Sequence, residues 1–512
     1  MDMRLLKEEM TLEQIAASGT GQAVVEGSVT LPGGLREAAR VLLCDAVACV
    51  RRVEPQQDRV TVSGRVMFHA MYVQGEEERV QSLEAAADFT HTQDLPGCTP
   101  RCTCRMRAEV EQVRASAANG QMSLRAVLRV FGRAVMTQPV SVLSGLVGVE
   151  GLQETTREIT LRRTVGTGSA ESLLREEFDL PAALEIRETL CAIAEAQVQE
   201  ITGGAGSAGV SGQVQLEVRH ASGVPGIPVV VTRHTIPFEE RVELTGEEGE
   251  LLSAQVQVAD VAVASQDADG EGRTLRAEVQ LLLQVQADTR STMTVLEDAY
   301  TVRGDALELT RERIAYRQDD AGVATAESGK AMLTLPEGAP AIRQVLCAQA
   351  MPVLASWQQA GSRLVCEGTL RVTLLATARE DDRPVSVQLE EPFRITFPAE
   401  AGLCDFVTLR VTDVDASAIT ADRVELRYIM HLTCDAVRTA EEPLVTAAQQ
   451  VPADPERGSI VLYFAQPGDT WWQIARRYRV PVSDLRRLNP ELTGEVQDGQ
   501  GVVVWHRGEV EA

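Results

Sequence analysis

Lysine is nearly missing from this 512-residue chain: only Lys7 and Lys330 occur, so arginine carries almost every positive charge. Against 49 Lys+Arg stand 74 Asp+Glu, a net charge of −25. Nucleic acid is a poor partner for so acidic a body, because neutralising phosphates takes positive faces. Aromatic residues make up only 4% of the chain. No stretch reaches the roughly 18 consecutive apolar residues of a membrane helix. The opening Met1-Asp2-Met3-Arg4-Leu5-Leu6-Lys7-Glu8-Glu9 is acidic and lacks the apolar core of a secretory signal, so we expect a cytoplasmic protein. The ten cysteines are scattered and mostly embedded in apolar runs such as Val41-Leu42-Leu43-Cys44. They read as buried free thiols of a reducing compartment and not as a disulfide framework.

Constellations that carry chemistry are missing too. Cys98, Cys102 and Cys104 have no second Cys/His pair at zinc spacing, so no metal is expected there. The six histidines are dispersed, and the glycine-rich run Gly203–Gly209 lacks the lysine of a phosphate loop and reads as a hairpin tip. No pair of carboxylates is singled out for glycoside chemistry. We expect no enzyme and no cofactor.

What is present is a globular composition, 44% apolar and 24% charged, in a length that suggests about three to five domains. One unit is written three times. Leu-Pro pairs stand at Leu31-Pro32, Leu180-Pro181 and Leu335-Pro336. Each is followed by a cysteine in an apolar run (Cys44, Cys191, Cys347), a glycine (Gly64, Gly212, Gly368) and a phenylalanine (Phe89, Phe238, Phe393). Upstream, Thr11-Leu12, Thr160-Leu161 and Ile314 lie 20, 20 and 21 residues before the Leu-Pro leucine. After each glycine, apolar and polar residues alternate, as at Val214, Leu216 and Val218. A second alternating run closes each unit, for example Met122, Leu124, Ala126, Leu128 and Val130. Period two predicts strands with one buried face. Ala118-Asn119-Gly120 and Asp269–Gly272 supply the turns before two of the closing runs. The expected class is mainly β: three tandem β-sandwich-like domains of six to eight short strands, each with its own core.

Those landmarks resemble the SPOCS domain of endospore-forming bacteria, over 8–147, 157–300 and 310–446, with the first copy matching best. Residues 447–458 read as a linker. Residues 459–506 differ, since three of the four tryptophans (Trp471, Trp472, Trp505) fall in the last 42 residues. Here a strand at Ile460–Phe464, two capped helices and a strand ending at Trp505 predict a β-α-α-β unit. It resembles a LysM domain through Gln466-Pro467-Gly468-Asp469-Thr470, Trp472-x-Ile474-Ala475, Val482-x-x-Leu485, Leu488-Asn489-Pro490 and Asp498-Gly499-Gln500. Two positions depart from the pattern: Trp471 replaces an aliphatic residue, and Arg479 stands where glycine often follows the tyrosine.

The resemblance implies a shallow groove for N-acetylglucosamine polymers between Gly468–Trp471 and Asn489–Thr493. It nominates Gly468, Asp469, Thr470, Trp471, Ile474, Arg479, Asn489, Pro490, Glu491 and Leu492 as groove or adjacent-face residues, with Trp471 as a stacking face. Pro467, Gly468, Thr470, Ile474 and Asn489-Pro490 equally make the turns and core of any such module. Residues 471–490 carry five arginines against Asp484, a strip that suits either solvated helix faces or an acidic protein partner. Together the domains resemble SipL-type spore-coat assembly proteins. That implies a scaffold in the mother-cell cytosol whose LysM domain docks on the coat-basement morphogenetic ATPase while the β domains recruit coat proteins. The alternative is a peptidoglycan-binding LysM protein of the spore or cell envelope.

Overall fold

The computed structural model describes residues 3–32, 39–75, 79–204, 206–268, 272–398, 404–453 and 459–506. Of the expected turns, Asp269–Glu271 lies outside these residues, as does most of the linker's second half. The first unit comprises β1 (Arg4–Thr30), β2 (Ala39–Gln56), β3 (Arg59–Gln74), β4 (Arg79–Asp94), β5 (Thr103–Ala118) and β6 (Gln121–Val147). The second comprises β7 (Leu152–Leu180), β8 (Ile186–Gly204), β9 (Ser207–Ser222), β10 (Val229–Glu243), the two-residue β11 (Thr245–Gly246), β12 (Leu251–Ala268) and β13 (Gly272–Thr301). The third comprises β14 (Ala306–Thr334), β15 (Ile342–Ala360), β16 (Arg363–Ala378), β17 (Pro384–Pro398), β18 (Phe406–Thr420) and β19 (Arg423–Val451). The chain ends in β20 (Ser459–Phe464), α1 (Trp471–Arg477), α2 (Val482–Leu488) and β21 (Gly501–His506).

Each unit is a sandwich of two antiparallel sheets. One is a meander, β2-β3-β4, β8-β9-β10 or β15-β16-β17. The other pairs the first and last strands of the unit, as β1-β6-β5, β11-β7-β13-β12 or β14-β19-β18. The alternating runs meet between the sheets: Val62, Val66 and Phe68 pack against Leu124, Ala126 and Leu128, and the other units repeat this. The mainly β class therefore stands, but the strands are not short. Those that open and close the units run 27 to 30 residues. β19 also continues through Val451, so the expected linker begins as strand.

The repeated glycine and phenylalanine explain one another. They are cross-strand partners, Gly64↔Phe89, Gly212↔Phe238 and Gly368↔Phe393. Opposite each glycine the neighbouring strand carries a β-bulge, at Val50/Arg52, Val198/Glu200 and Leu354/Ser356. A side chain on the glycine would meet the bulged strand's carbonyl oxygen and the phenyl ring. Glycine at a bulge, with an aromatic ring laid over its bare backbone, is thus the sequence mark of the unit. Asn119 and Gly120 take positive φ of 52° and 69°, the two-residue hairpin turn their sequence predicts.

The cysteines align differently from the sequence reading. Bulges at Val41/Leu43, Thr189/Cys191 and Val345/Cys347 put Leu43, not Cys44, in the place of Cys191 and Cys347. Burial pushes the Cys191 thiol up to about 12 and the Cys347 thiol to about 11, so both are unreactive fillers. The expectation that all ten cysteines are free also needs correction. Cys404 and Cys434 are disulfide-bonded, because pairing Val407 with Cys434 brings the two Cα atoms to 5.8 Å.

Each unit keeps its own core, and the three also pack on one another. Leu43 and Met71, Cys191 and Ala221, and Cys347 and Leu375 form one cluster shared by all three. A second shared cluster gathers Leu12 and Val142, Leu161 and Val295, and Ile314 and Tyr316, so the upstream landmarks of the repeat are the contacts between units. Each unit touches both others: Arg79 pairs with Glu188 at 3.3 Å, Arg343 donates to the Gly226 carbonyl, and Arg107 pairs with Asp435 at 2.6 Å. Buried charge ties the centre. Arg317, 2% exposed, donates to Glu13 of the first unit (2.6 Å), Asp288 of the second (2.7 Å) and its own unit's Asp320. Burial alone would raise the Asp288 carboxyl, but Arg317, the Gln286 amide and Arg162 together outweigh it and hold it below the usual carboxylate range. Arg219 is likewise buried and pairs with Asp45 across units at 2.6 Å.

Candidate functional site

The C-terminal module is a two-stranded antiparallel sheet, β20 with β21, covered on one face by α1 and α2. Thr470 caps α1: its hydroxyl accepts from the Gln473 backbone N–H at 3.2 Å, while the Gln473 side chain returns a bond to the Thr470 N–H at 2.9 Å. Asp469 accepts from the Gln466 N–H (2.8 Å) and the Tyr463 hydroxyl (2.5 Å), which closes the β20–α1 loop. These hydrogen bonds hold its carboxyl below the ordinary range. Gly468 turns the loop at φ +88°, with open space where a side chain would be.

Several nominated groove residues are structural. Ile474 is fully buried in the module core. Asn489, 1% exposed, is spent on its own backbone: its amide donates to the carbonyls of Leu485 and Val503, and its oxygen accepts from the Val503 N–H. Trp471, expected as an exposed stacking face, is 3% exposed. Its indole N–H donates to the Gly494 carbonyl at 2.7 Å, which ties the loop after α2 to the start of α1. An aliphatic residue could fill that core position, but only an indole also supplies the donor. Leu492 is half-buried against the same core. Gly468, Pro490 and Glu491 remain exposed on the two loops that flank the predicted groove.

Arg479 takes a different role from the one expected. Its backbone is left-handed, φ +50°, the conformation that favours glycine at this position. Its guanidinium leaves the module altogether and donates to the Thr301 carbonyl (3.0 Å), the Thr301 hydroxyl (3.0 Å) and the Gly304 carbonyl (2.5 Å). Around it, Arg476 and the Trp472 indole each donate to Asp298 at 2.8 Å. Tyr300 inserts into the module core, its hydroxyl donating to the Val480 carbonyl at 2.8 Å and its ring meeting Trp472 edge-on at 5.0 Å. Two members of the arginine strip are therefore spent within the same chain, Arg476 on the Asp298 carboxylate and Arg479 on uncharged acceptors at the end of β13 and just beyond it. Arg477 turns back to Tyr463, and Arg487 pairs with Asp484 at 3.1 Å. Sequence reasoning missed Asp298, Tyr300 and Thr301, which lie at the close of a repeat and give no local sign of a seat for another module.

The family model for the SipL, SPOCS domain matches residues 37–118, and that for the LysM domain matches residues 463–496. No curated protein and no solved structure matches the chain. The pairing is that of a SipL-like protein with a C-terminal LysM domain. It marks a sporulation-related chain that carries a candidate peptidoglycan-binding module.

Proposed function

We propose that the chain is a non-enzymatic scaffold of spore-coat assembly, working on the mother-cell side of the forespore surface. In this reading the LysM domain binds the coat-basement ATPase, and the three-unit body recruits further coat proteins. The supporting observation is the seating of the module: Arg479, Arg476, Trp472 and Tyr300 fix it on β13 while Gly468, Pro490 and Glu491 stay exposed. A tether between a surface lattice and other proteins works best with its grip held at a set angle to its body, and several contact surfaces add avidity. The test is a fluorescent fusion of the full chain followed through sporulation, beside a Gly468→Trp, Glu491→Arg variant. The expected result is a shell on the forespore that the variant loses while its purified protein stays folded. Diffuse fluorescence of the unaltered fusion overturns the reading.

A second reading is favoured by the open backbone at Gly468: a glycan chain approaching the two loops would meet no side chain there. If the purified chain binds N-acetylglucosamine oligomers and ignores the ATPase, this reading replaces the first.

A further inference from the structure

The helices cover only one face of the module's sheet. On the other, Ile460, Leu462 and Phe464 alternate along β20 and are 75%, 57% and 61% exposed. Trp505, the cross-strand partner of Ile460, is 45% exposed beside them. Gly501, opposite Phe464, adds no side chain to separate them, and Leu462 and Phe464 lie within reach of the position its Cβ would take. Among the described residues, other exposed large apolar side chains include Leu173 and Met332 on the body. Here four share a continuous surface of roughly 400–500 Å², the size at which apolar patches on soluble proteins mark contact sites. The seat on β13 engages the α1 side of the module, so this face is turned away from the body.

We propose that the face is a self-association surface, on which a second copy of this chain packs sheet to sheet across a two-fold axis. Two observations choose that occupant. First, flat rows of Ile, Leu and Phe without a charge among them are complementary to themselves, which is what a two-fold contact demands. Second, charge favours contact at the module over contact between bodies. Residues 459–512 hold 6 basic and 7 acidic residues, so nearly all of the −25 sits in the body. Two copies meeting at this face hold their acidic bodies at opposite ends, whereas body-to-body contact brings like charge together. Two such faces remove roughly 800–1,000 Å² from water, below the roughly 1,200 Å² of stable specific interfaces and in the range of transient ones, so the dimer is weak and reversible. On a lattice it gains strength from high local concentration. The contact leaves the groove loops free and does not depend on what they bind.

Sedimentation velocity on the full-length chain tests this. Between about 1 µM and several hundred µM the mass should rise toward twice that of the monomer, and added salt should favour the larger species by screening the bodies. Leu462→Glu and Phe464→Glu should hold the chain monomeric over that range without lowering its melting temperature, since both side chains are exposed. Leu173→Glu, on the body, should leave the association unchanged. A wild-type chain that stays monomeric throughout overturns the proposal and leaves the face to a different protein. So does a dimer that survives both β20 variants.

Discussion

Replacing Gly212 with alanine tests the reading of the repeat at its most exacting point. A Cβ at this position would lie 2.7 Å from Cζ and 2.9 Å from Cε1 of Phe238, and closer still to the carbonyl oxygen of Gln197. The ring could swing by a few tenths of an ångström, but the carbonyl belongs to bulged backbone and cannot. Overpacking of a core usually costs 1–3 kcal/mol, and a backbone obstacle puts this substitution at the upper end, about 3 kcal/mol. For a unit of this size each kcal/mol moves the melting temperature by roughly 2–4 °C, so a fall of about 6–12 °C is expected by far-UV circular dichroism. Gly64→Ala and Gly368→Ala meet the same two obstacles and should fall by similar amounts. Gly27→Ala supplies the comparison, since its new methyl meets only Ala87 Cβ at 3.9 Å. Phe238→Ala opens a cavity instead, at about 3–5 kcal/mol, and combined with Gly212→Ala it should cost less than the two singles together. Equal melting points for the Gly212→Ala and Gly27→Ala chains would refute the account of the glycine.

Two further outcomes are expected. His220 is fully buried between the hydroxyls of Thr189 and Thr232, and burial, with smaller contributions from His234 and Arg273, lowers its pKa to about 4. The unfolded chain takes up a proton near pH 6.5 that the folded chain refuses until about pH 4, so stability should fall by about 2–3 kcal/mol as pH drops through that window. Denaturant midpoints at pH 7 and pH 5 should draw together in His220→Gln, and an unchanged gap would rule this histidine out as their source. Removing the seat of the module is the second case. Arg479→Ala with Trp472→Ala should raise hydrogen exchange along the end of β13 and in α1 while leaving the three-unit body protected. Exchange as slow as in the parent chain would mean the seat is held by other contacts.

Much of the architecture was legible because period-two alternation reports the buried face of a strand wherever the strand is regular. The closing runs and the Gly–Phe pairs follow from local rules, and the structure places them as those rules require. Register failed where a bulge inserts a residue. Leu42, Leu190 and Leu346 are the inserted residues, and skipping them moves the first repeat's equivalent position from Cys44 to Leu43. Strand length was hidden for the same reason, since bulges at Ile15/Ala17 and Arg317/Asp319 interrupt the alternation of β1 and β14 midway. At the candidate site, the loops and caps were readable from Gly468, Asp469 and Thr470. The fates of Trp471 and Arg479 were not, because each is settled by a distant partner, Gly494 in one case and Thr301 in the other.

The closure of the three units on one another bears on how many there can be. An open stack of repeats gains or loses a copy with little consequence, because each copy needs only its neighbours. Here the first unit must meet the last: Glu13 answers Arg317, Asp435 answers Arg107, and Phe406 packs on Phe131. Without the first or the second unit, Arg317 would lose Glu13 or Asp288 and keep Asp320 of its own unit, a buried cation short of one of its carboxylates. Losing a whole repeat would therefore break contacts that both remaining units make. Within that frame the copies differ in what they place at the shared contacts, and Arg219 stands where the other units carry Met71 and Leu375.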